Sequence, residues 1–419
     1  MLKEIIEYIN NLDPEIIIQA PSRINLINPL DAVEGDFWMP SVAINGLKNP
    51  LSVFVYIKPR KCMSIIKSYS ISDHFGEITI KVDHEEEILK NNTLPIEQLN
   101  GNFKLFYASV YRFIRTNSFF WENFKNSNFE LGILTTIPPQ SGLGGSAAII
   151  IAILYCFAKY YNLYKNINCM KEGDFPINRD IIAEMATKVE DYDLKITAGY
   201  GDRYVITRGG LSFCSYYGKL HHKDISLEPL AVYDRMDLVY NISSLPIIVC
   251  FSGVFHDSGG VHERLRRCYL LKDPYVLNCY RNLAELSWKS RFAIMKHDWK
   301  LLGEYFKENT NIMDGIMKHV GFTHGIGLSN SILIKLIEDH PDVFSAKLTG
   351  AGGGGSVFAL VNPDKIETVL CDWEQNLNEI INDESTFLSR FPEYPSEFRV
   401  KLRNAKFFRI KIAGGVKKL

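Results

Sequence analysis

Residues 138–148, Pro-Pro-Gln-Ser-Gly-Leu-Gly-Gly-Ser-Ala-Ala, form a glycine-rich turn between two apolar runs. The run before it, 129–137, mixes β-branched and apolar residues and predicts a strand; the run after it, 146–161, is long enough to predict a buried helix. A turn with few side chains that opens a helix leaves backbone N–H groups unpaired, and the helix dipole adds partial positive charge there. Pro139, Ser141, Gly142, Leu143, Gly144, Gly145, Ser146 and Ala147 are therefore candidates to hold a phosphoryl chain. A Walker loop needs a lysine after its glycines, and none follows here. The spacing Gly142-x-Gly144-x-x-Ala147 fits a dinucleotide fingerprint, but residues 162–170 lack the acidic residue that such a site sets on the ribose. The Ser146 hydroxyl, in the first helical turn, sits where it could hold Mg2+ against bound phosphates. The bland alternative is a plain tight turn from strand to helix.

Two further segments carry similar chemistry. Residues 20–31 read Ala-Pro-Ser-Arg-Ile-Asn-Leu-Ile-Asn-Pro-Leu-Asp, and residues 347–356 read Lys-Leu-Thr-Gly-Ala-Gly-Gly-Gly-Gly-Ser. The second glycine run is followed by Ser-Val-Phe-Ala-Leu-Val, which predicts a strand and so removes the dinucleotide context from its own G-x-G-x-x-G. Arg23 offers a permanent positive charge that can depress a neighbouring carboxylate and steady phosphoryl charge. Residues 181–190 have helical spacing, with Ile182, Met185, Ala186 and Val189 on one face and Glu190 closing the segment ahead of Thr-Ala-Gly-Tyr-Gly-Asp-Arg at 197–203.

In order, these segments resemble the three motifs of the GHMP kinases (galactokinase, homoserine kinase, mevalonate kinase and phosphomevalonate kinase). The motifs read A-P-G-R-V-N-L, P-x-x-x-G-L-G-S-S-A-A and K-x-x-G-A-G-G-G-G; this chain departs at Ser22 and Gly145, both swaps between small residues. The resemblance implies an α+β fold of two domains, expected at 1–215 and 216–419, with the active site in the cleft between them. It implies ATP and Mg2+, Glu190 beside Ser146 on the metal, Asp202 as the catalytic base with Arg23 beside it, and Gly350, Gly352 and Gly353 against the substrate. Asp191 and Asp193 are close enough in sequence to compete with Glu190 for the metal role.

The substrate signal points to sugars. The Gly-Glu-His of galactokinases and mevalonate kinases is absent after the first motif, and residues 23–31 instead look like the glucuronokinase pattern R-V-G-L-x-G-N-P-S-D. Residues 196–211 and Asp257-Ser258-Gly259-Gly260-Val261-His262 match further glucuronokinase segments, and heptose and fucose kinases are similar around the last one. The expectation is a kinase for the anomeric 1-OH of a sugar or sugar acid, with Asp31 binding sugar hydroxyls. His262, Arg264, Arg266 and Arg267 are candidates for an acidic sugar's carboxylate, or an ordinary solvated helix face. The alternatives are a mevalonate-type kinase and a non-catalytic sugar or ATP sensor on the same fold.

Global properties agree with a cytoplasmic, small-molecule enzyme, monomeric or homodimeric. With 47 basic and 48 acidic residues in 419, no charge excess points to nucleic acid or membrane as a partner. The eight cysteines show no C-x-x-C spacing and predict reduced thiols. Further strands are expected at 16–20, 51–57, 245–251 and 405–412, helices at 278–295 and 299–317, and a mobile polar excursion at 83–100.

Overall fold

The structure is a computed structural model that describes residues 1–419 apart from 28–30, 34–36, 75–76, 89–95, 165–166, 217–230 and 256–257. Its strands are β1 (Ile16–Asn25), β2 (Met39–Gly46), β3 (Ser52–Pro59), β4 (Ser64–His74), β5 (Glu77–Ile88), β6 (Phe129–Thr135), β7 (Leu211–Tyr216), β8 (Ala231–Arg235), β9 (Ile247–Phe251), β10 (Val343–Leu348), β11 (Ser356–Val361), β12 (Lys406–Ile412) and β13 (Lys417–Lys418). They join in the order β10-β11-β9-β12-β2-β1-β3-β6-β4-β5, with β7 on β2 and β8, and β13 on β1. With its many helices this is the expected α+β architecture.

β1 does two jobs. Residues 16–21 pair with β3, whereas Ser22 to Asn25 pair with β2. The strand thus passes from one partner to the other at Pro21-Ser22, and the first motif lies where the sheet splits. The Gly145–Tyr160 helix packs on this sheet and is apolar nearly all round, as a helix enclosed by protein must be.

Strand alternation explains how the second half attaches. On β9, Ile247 and Val249 enter the same core as the Gly145–Tyr160 helix, while Ile248 and Cys250 enter a second core formed with Tyr280, Leu283, Met313 and Trp373. β12, close to the end of the chain, lies between β9 and β2 and ties the two halves into one sheet.

Most expected elements occur within a few residues of their predicted limits, with two departures. The polar excursion begins as strand β5, paired with β4 along its length. Its His-Glu-Glu-Glu run at 84–87 hid it, because an edge strand tolerates, and is guarded by, outward charge. The helix expected to run through Glu190 is α-helical at Arg179–Lys188 and then widens into a π-turn at Val189–Asp193. Such turns recur at functional sites. No helix among the described residues is long and apolar enough to cross a membrane.

Candidate active site

The first two motifs are stitched together. The Ser22 hydroxyl donates to the Leu143 carbonyl at 2.7 Å, and the Arg23 N–H reaches the same oxygen at 3.2 Å. Ser22, one of the two departures from the family pattern, thus fastens the glycine turn to β1. Arg23 then spans the site: it donates to the Gly142 carbonyl at 2.5 Å and pairs through two nitrogens with both oxygens of Asp202.

The turn keeps its shape through left-handed residues. Gln140, Gly142 and Gly144 have φ of 49°, 72° and 79°. A Cβ on Gly144 would lie 3.1 Å from Arg23 Cγ and from Ile206 Cδ1, whereas one on Gly145 meets only Ile137, at 3.5 Å. The same substitution at adjacent positions is therefore expected to act oppositely. Gly144→Ala should destabilise by about 1–2 kcal/mol and displace Arg23, while Gly145→Ala should be neutral or stabilising by up to about 1 kcal/mol. Melting temperatures with nucleotide affinities check the pair.

Arg23, Asn25, Asp31, Asp202, Arg203 and His262 form the polar end of a cavity of about 310 Å³, and Leu105, Ile137, Ile149 and Ile196 line its apolar part. Of the eight candidate nucleotide residues, Pro139, Ser141, Gly142, Gly144, Gly145 and Ser146 line it. Leu143 and Ala147 do not: their side chains belong to the core, which anchors the turn. The Ser141 hydroxyl is buried without a hydrogen-bond partner among the described residues, as suits a donor kept for a ligand.

Asp202 opens the Gly201–Arg208 helix. Burial alone would push its pKa up, but the Arg23 charge and hydrogen bonds, with Asn25 Nδ2 at 3.3 Å, hold it below the ordinary carboxylate value. Asn25 is itself oriented by the Ser41 hydroxyl, which donates to its Oδ1 at 2.8 Å. Asp202 is therefore ionised at neutral pH and can accept a proton.

Asp31 sits at the start of the same helix, accepting from the Gly201 N–H at 2.5 Å. Gly199 must lack a side chain, because a Cβ there would lie 2.4 Å from both Asp31 carboxylate oxygens. Burial, then the nearby Asp202 charge, push the Asp31 pKa up to about 6. A carboxylate whose folded pKa exceeds its unfolded one destabilises above the folded value, and the penalty fades as pH falls toward the unfolded value. Asp31→Asn is therefore expected to raise the melting temperature at pH 7.5, by up to roughly 3 kcal/mol of stability. The gap to wild type should narrow as pH falls from about 6 toward 4.

Glu190 lies at the cavity wall, buried, and ion-paired with Arg203, which also donates to the Gly199 carbonyl at 2.9 Å. The expectation of a metal ligand thus meets a carboxylate that already has a counter-charge, as a buried acid requires. Of its rivals, Asp193 pairs with Arg112 and Asp191 with Arg266. No cluster of three or more His, Cys, Asp or Glu among the described residues is arranged to hold a metal alone. The residues fit a cation held mainly by phosphate oxygens, for which Ser146 and Glu190, both in the cavity lining, would be the protein ligands.

The third motif contributes less contact than expected. Gly350 lines the cavity, and its Cβ would fall 3.3 Å from the Gly142 backbone, so the two glycine turns touch. Gly352 and Gly353, with φ of 90° and 87°, do not line it; the Gly353 N–H donates to the Ile326 carbonyl at 2.8 Å, so they shape the loop. The basic cluster at 262–267 also divides. His262 reaches the cavity, Arg266 binds Asp191 and the Ala32 and Ala198 carbonyls, and Arg264 lies 4.7 Å over the Phe322 ring. Residues 28–30 and Asp257 lie outside the described residues, as does the Ser258 side chain. Arg203 and Asn25 were missed by sequence reasoning. Asn25 had a signal: it stands two residues after Arg23 on a strand, hence on the same face.

Comparison with known proteins bears on this geometry. Residues 106–210 match the GHMP kinases N terminal domain and residues 292–379 match the GHMP kinases C terminal. Glucuronokinase 1 of Arabidopsis thaliana is 26% identical over 357 residues, covering 83% of this chain and 83% of that protein. Probable glucuronokinase 2 of the same plant is 27% identical over 58% of this chain, and the match spans only 60% of that protein's length. Among solved structures, Lactococcus lactis galactokinase complexed with galactose superposes with a TM-score of 0.63 at 16% identity, covering 96% of this chain and 95% of that one.

Proposed function

Because the chain belongs to the GHMP kinases, we propose that it transfers the γ-phosphoryl group of ATP to a hydroxyl of a sugar or sugar acid, with glucuronic acid the first candidate and the anomeric 1-OH the acceptor. The observation that carries the reading is Arg23, whose one guanidinium joins the Gly142 carbonyl of the glycine turn to the Asp202 carboxylate. An anion cradle and an ionised proton acceptor are thereby fixed side by side in one cavity.

The chemistry follows from that placement. The turn's N–H groups and the helix N-terminus hold the phosphates, and Mg2+, with Ser146 and Glu190 as its protein ligands, would neutralise their charge. Asp202 accepts a hydrogen bond from the acceptor hydroxyl and orients its oxygen toward phosphorus. Its depressed pKa makes it a weak base, so the proton moves to it late, as the new O–P bond forms. A sugar's hemiacetal hydroxyl is its most acidic one and suits so weak a base. Asp31, buried beside the helix that carries Asp202, is placed to accept hydrogen bonds from other sugar hydroxyls. The similarity to glucuronokinases supports the sugar assignment.

ADP release measured over glucuronic acid, galacturonic acid, neutral hexoses, heptose phosphates and mevalonate tests the proposal. A sugar or sugar acid should give the highest kcat/KM, and Asp31→Asn should raise the KM for it more than tenfold while leaving the KM for ATP within twofold, an effect of one buried charged hydrogen bond. Preference for mevalonate, or no turnover with any of them, would reject the sugar reading.

A further inference from the structure

The Arg179–Lys188 and Gly201–Arg208 helices run antiparallel and are tied by three side-chain cross-links, with a further bond from the Arg179 guanidinium to the Thr207 carbonyl at 2.8 Å. At the catalytic end, Arg203 pairs with Glu190 just beyond the first helix. In the middle, the Tyr204 hydroxyl donates to Glu184 at 3.0 Å. At the far end, about 7.5 Å further along the helix from Arg203, Arg208 grips Asp180 through two hydrogen bonds of 2.6 and 2.5 Å. The last cross-link stands in a groove of about 550 Å³ that the catalytic cavity does not include.

The groove is built for an anion. Arg179, Arg208 and Arg235 line it against a single lining carboxylate among the described residues, Asp180. Arg179 has no carboxylate partner among the described residues: it donates to the Thr207 carbonyl at 2.8 Å and lies 5.8 Å from the Tyr155 ring. Arg235 is held by Asp237 and Arg208 lies 5.4 Å over Tyr233, so both guanidinium groups are fixed in place before a ligand arrives. The Tyr164 hydroxyl, also in the lining, is buried with no hydrogen-bond partner among the described residues. Lys159 adds a further positive charge 4.3 Å from the Tyr164 ring. Planar guanidinium forks and a waiting hydroxyl match the oxygens of a tetrahedral dianion.

We infer that this groove is a second ligand site, for a phosphate dianion carried either by inorganic phosphate or by a sugar phosphate, and that its occupancy is felt at the catalytic end. A phosphate competes with Asp180 for Arg208 and loosens the distal cross-link of the two helices whose other ends set Glu190, Arg203 and Asp202. By linkage, a ligand that shifts the helix pair shifts nucleotide affinity, and nucleotide shifts the affinity of the groove equally. The inference goes beyond the proposed kinase activity, and its test reads binding.

The test is calorimetric titration of the full chain with inorganic phosphate and, separately, glucose 6-phosphate, with and without saturating Mg-AMPPNP to fill the glycine turn. One site is expected to persist when AMPPNP is bound. Arg179→Gln should weaken it about tenfold or more, the loss of one charge-assisted contact, and Arg179→Lys should recover part of the loss. Tighter binding of glucose 6-phosphate identifies a sugar phosphate as the ligand, and equal binding identifies phosphate itself. The AMPPNP affinity should change at least twofold when the groove is filled. Absence of binding by both probes, or equal affinity in wild type and Arg179→Gln, overturns the site; an unchanged AMPPNP affinity overturns its effector role. If Arg179→Gln does not fold, Arg235→Gln takes its place with the same readings. If AMPPNP itself does not bind, the kinase reading fails while the titrations without it still decide the groove.

Discussion

Asp202→Asn is expected to lower kcat about 100- to 10,000-fold, the range that a positioned proton acceptor contributes. The substitution preserves shape and keeps an oxygen for Arg23, but it removes the charge that in the proposed reaction takes the hydroxyl proton. Nucleotide affinity should stay near wild type, because the proposed phosphate cradle is the turn at 139–146, and Leu105, Ile137 and Ile149 form the apolar wall of the cavity, with no contribution from this carboxylate. A loss confined to kcat marks an interaction made in the transition state. The competing idea, that Asp202 serves only to begin its helix, predicts a lower melting temperature with kcat per folded molecule intact. The two outcomes separate on one protein preparation.

The second large effect is at Arg23. Arg23→Gln leaves the Asp202 carboxylate, whose side chain is 16% exposed, without its main counter-charge. Removing one partner of a buried pair costs roughly 3 kcal/mol or more, and here it also frees the Gly142 carbonyl from its 2.5 Å bond. With Arg23 gone, burial acts unopposed and the Asp202 pKa rises. In wild type its folded pKa lies below 3.8, so the stability that it contributes is present above that value and is lost only as pH falls through the folded pKa. In Arg23→Gln the sign reverses: the variant should gain on wild type as pH falls, and the acid limb of its rate profile should move to higher pH. The double variant Arg23→Gln, Asp202→Asn should be more stable than Arg23→Gln alone, because no orphan charge remains. Thermal unfolding across pH 5 to pH 8, roughly the range where folded proteins are most stable, reads the stabilities, and kcat over the same range reads the acid limb.

Much of the site could be read before folding because its parts are local in sequence. A glycine turn between a strand and a helix needs only neighbouring residues, and positive φ at Gly142 and Gly144 is what glycine at those positions supplies. Arg23 and Asp202 were nominated separately, yet their pairing across 179 residues is a property of the fold, which brings β1 against the Gly201–Arg208 helix. The role of Ser22 was illegible for the same reason: a serine in a small-residue slot gives no hint that its hydroxyl will meet the Leu143 carbonyl. Glu190 was nominated by position as a metal ligand and lines the cavity, but its Arg203 partner was not foreseen, since the π-turn at 189–193 resets the side-chain phase of an otherwise regular helix. The side chains of Leu143 and Ala147 enter the core and not the cavity, because a motif names a segment, whereas the alternation of buried and exposed atoms decides which side chains face the cavity. β5 was lost to its own charge, which reads as loop until the pairing with β4 is seen.

The most direct test of the account is phosphorus NMR of the product formed from ATP, Mg2+ and glucuronic acid by wild type and by Asp202→Asn. The account predicts a new sugar phosphate resonance coupled to the anomeric proton, appearing with wild type and suppressed at least about 100-fold in rate with the variant. A phosphate on another carbon would contradict the 1-OH assignment, and formation of the same product at an undiminished rate by Asp202→Asn would contradict the account's central claim that Asp202, clamped by Arg23, is the proton acceptor.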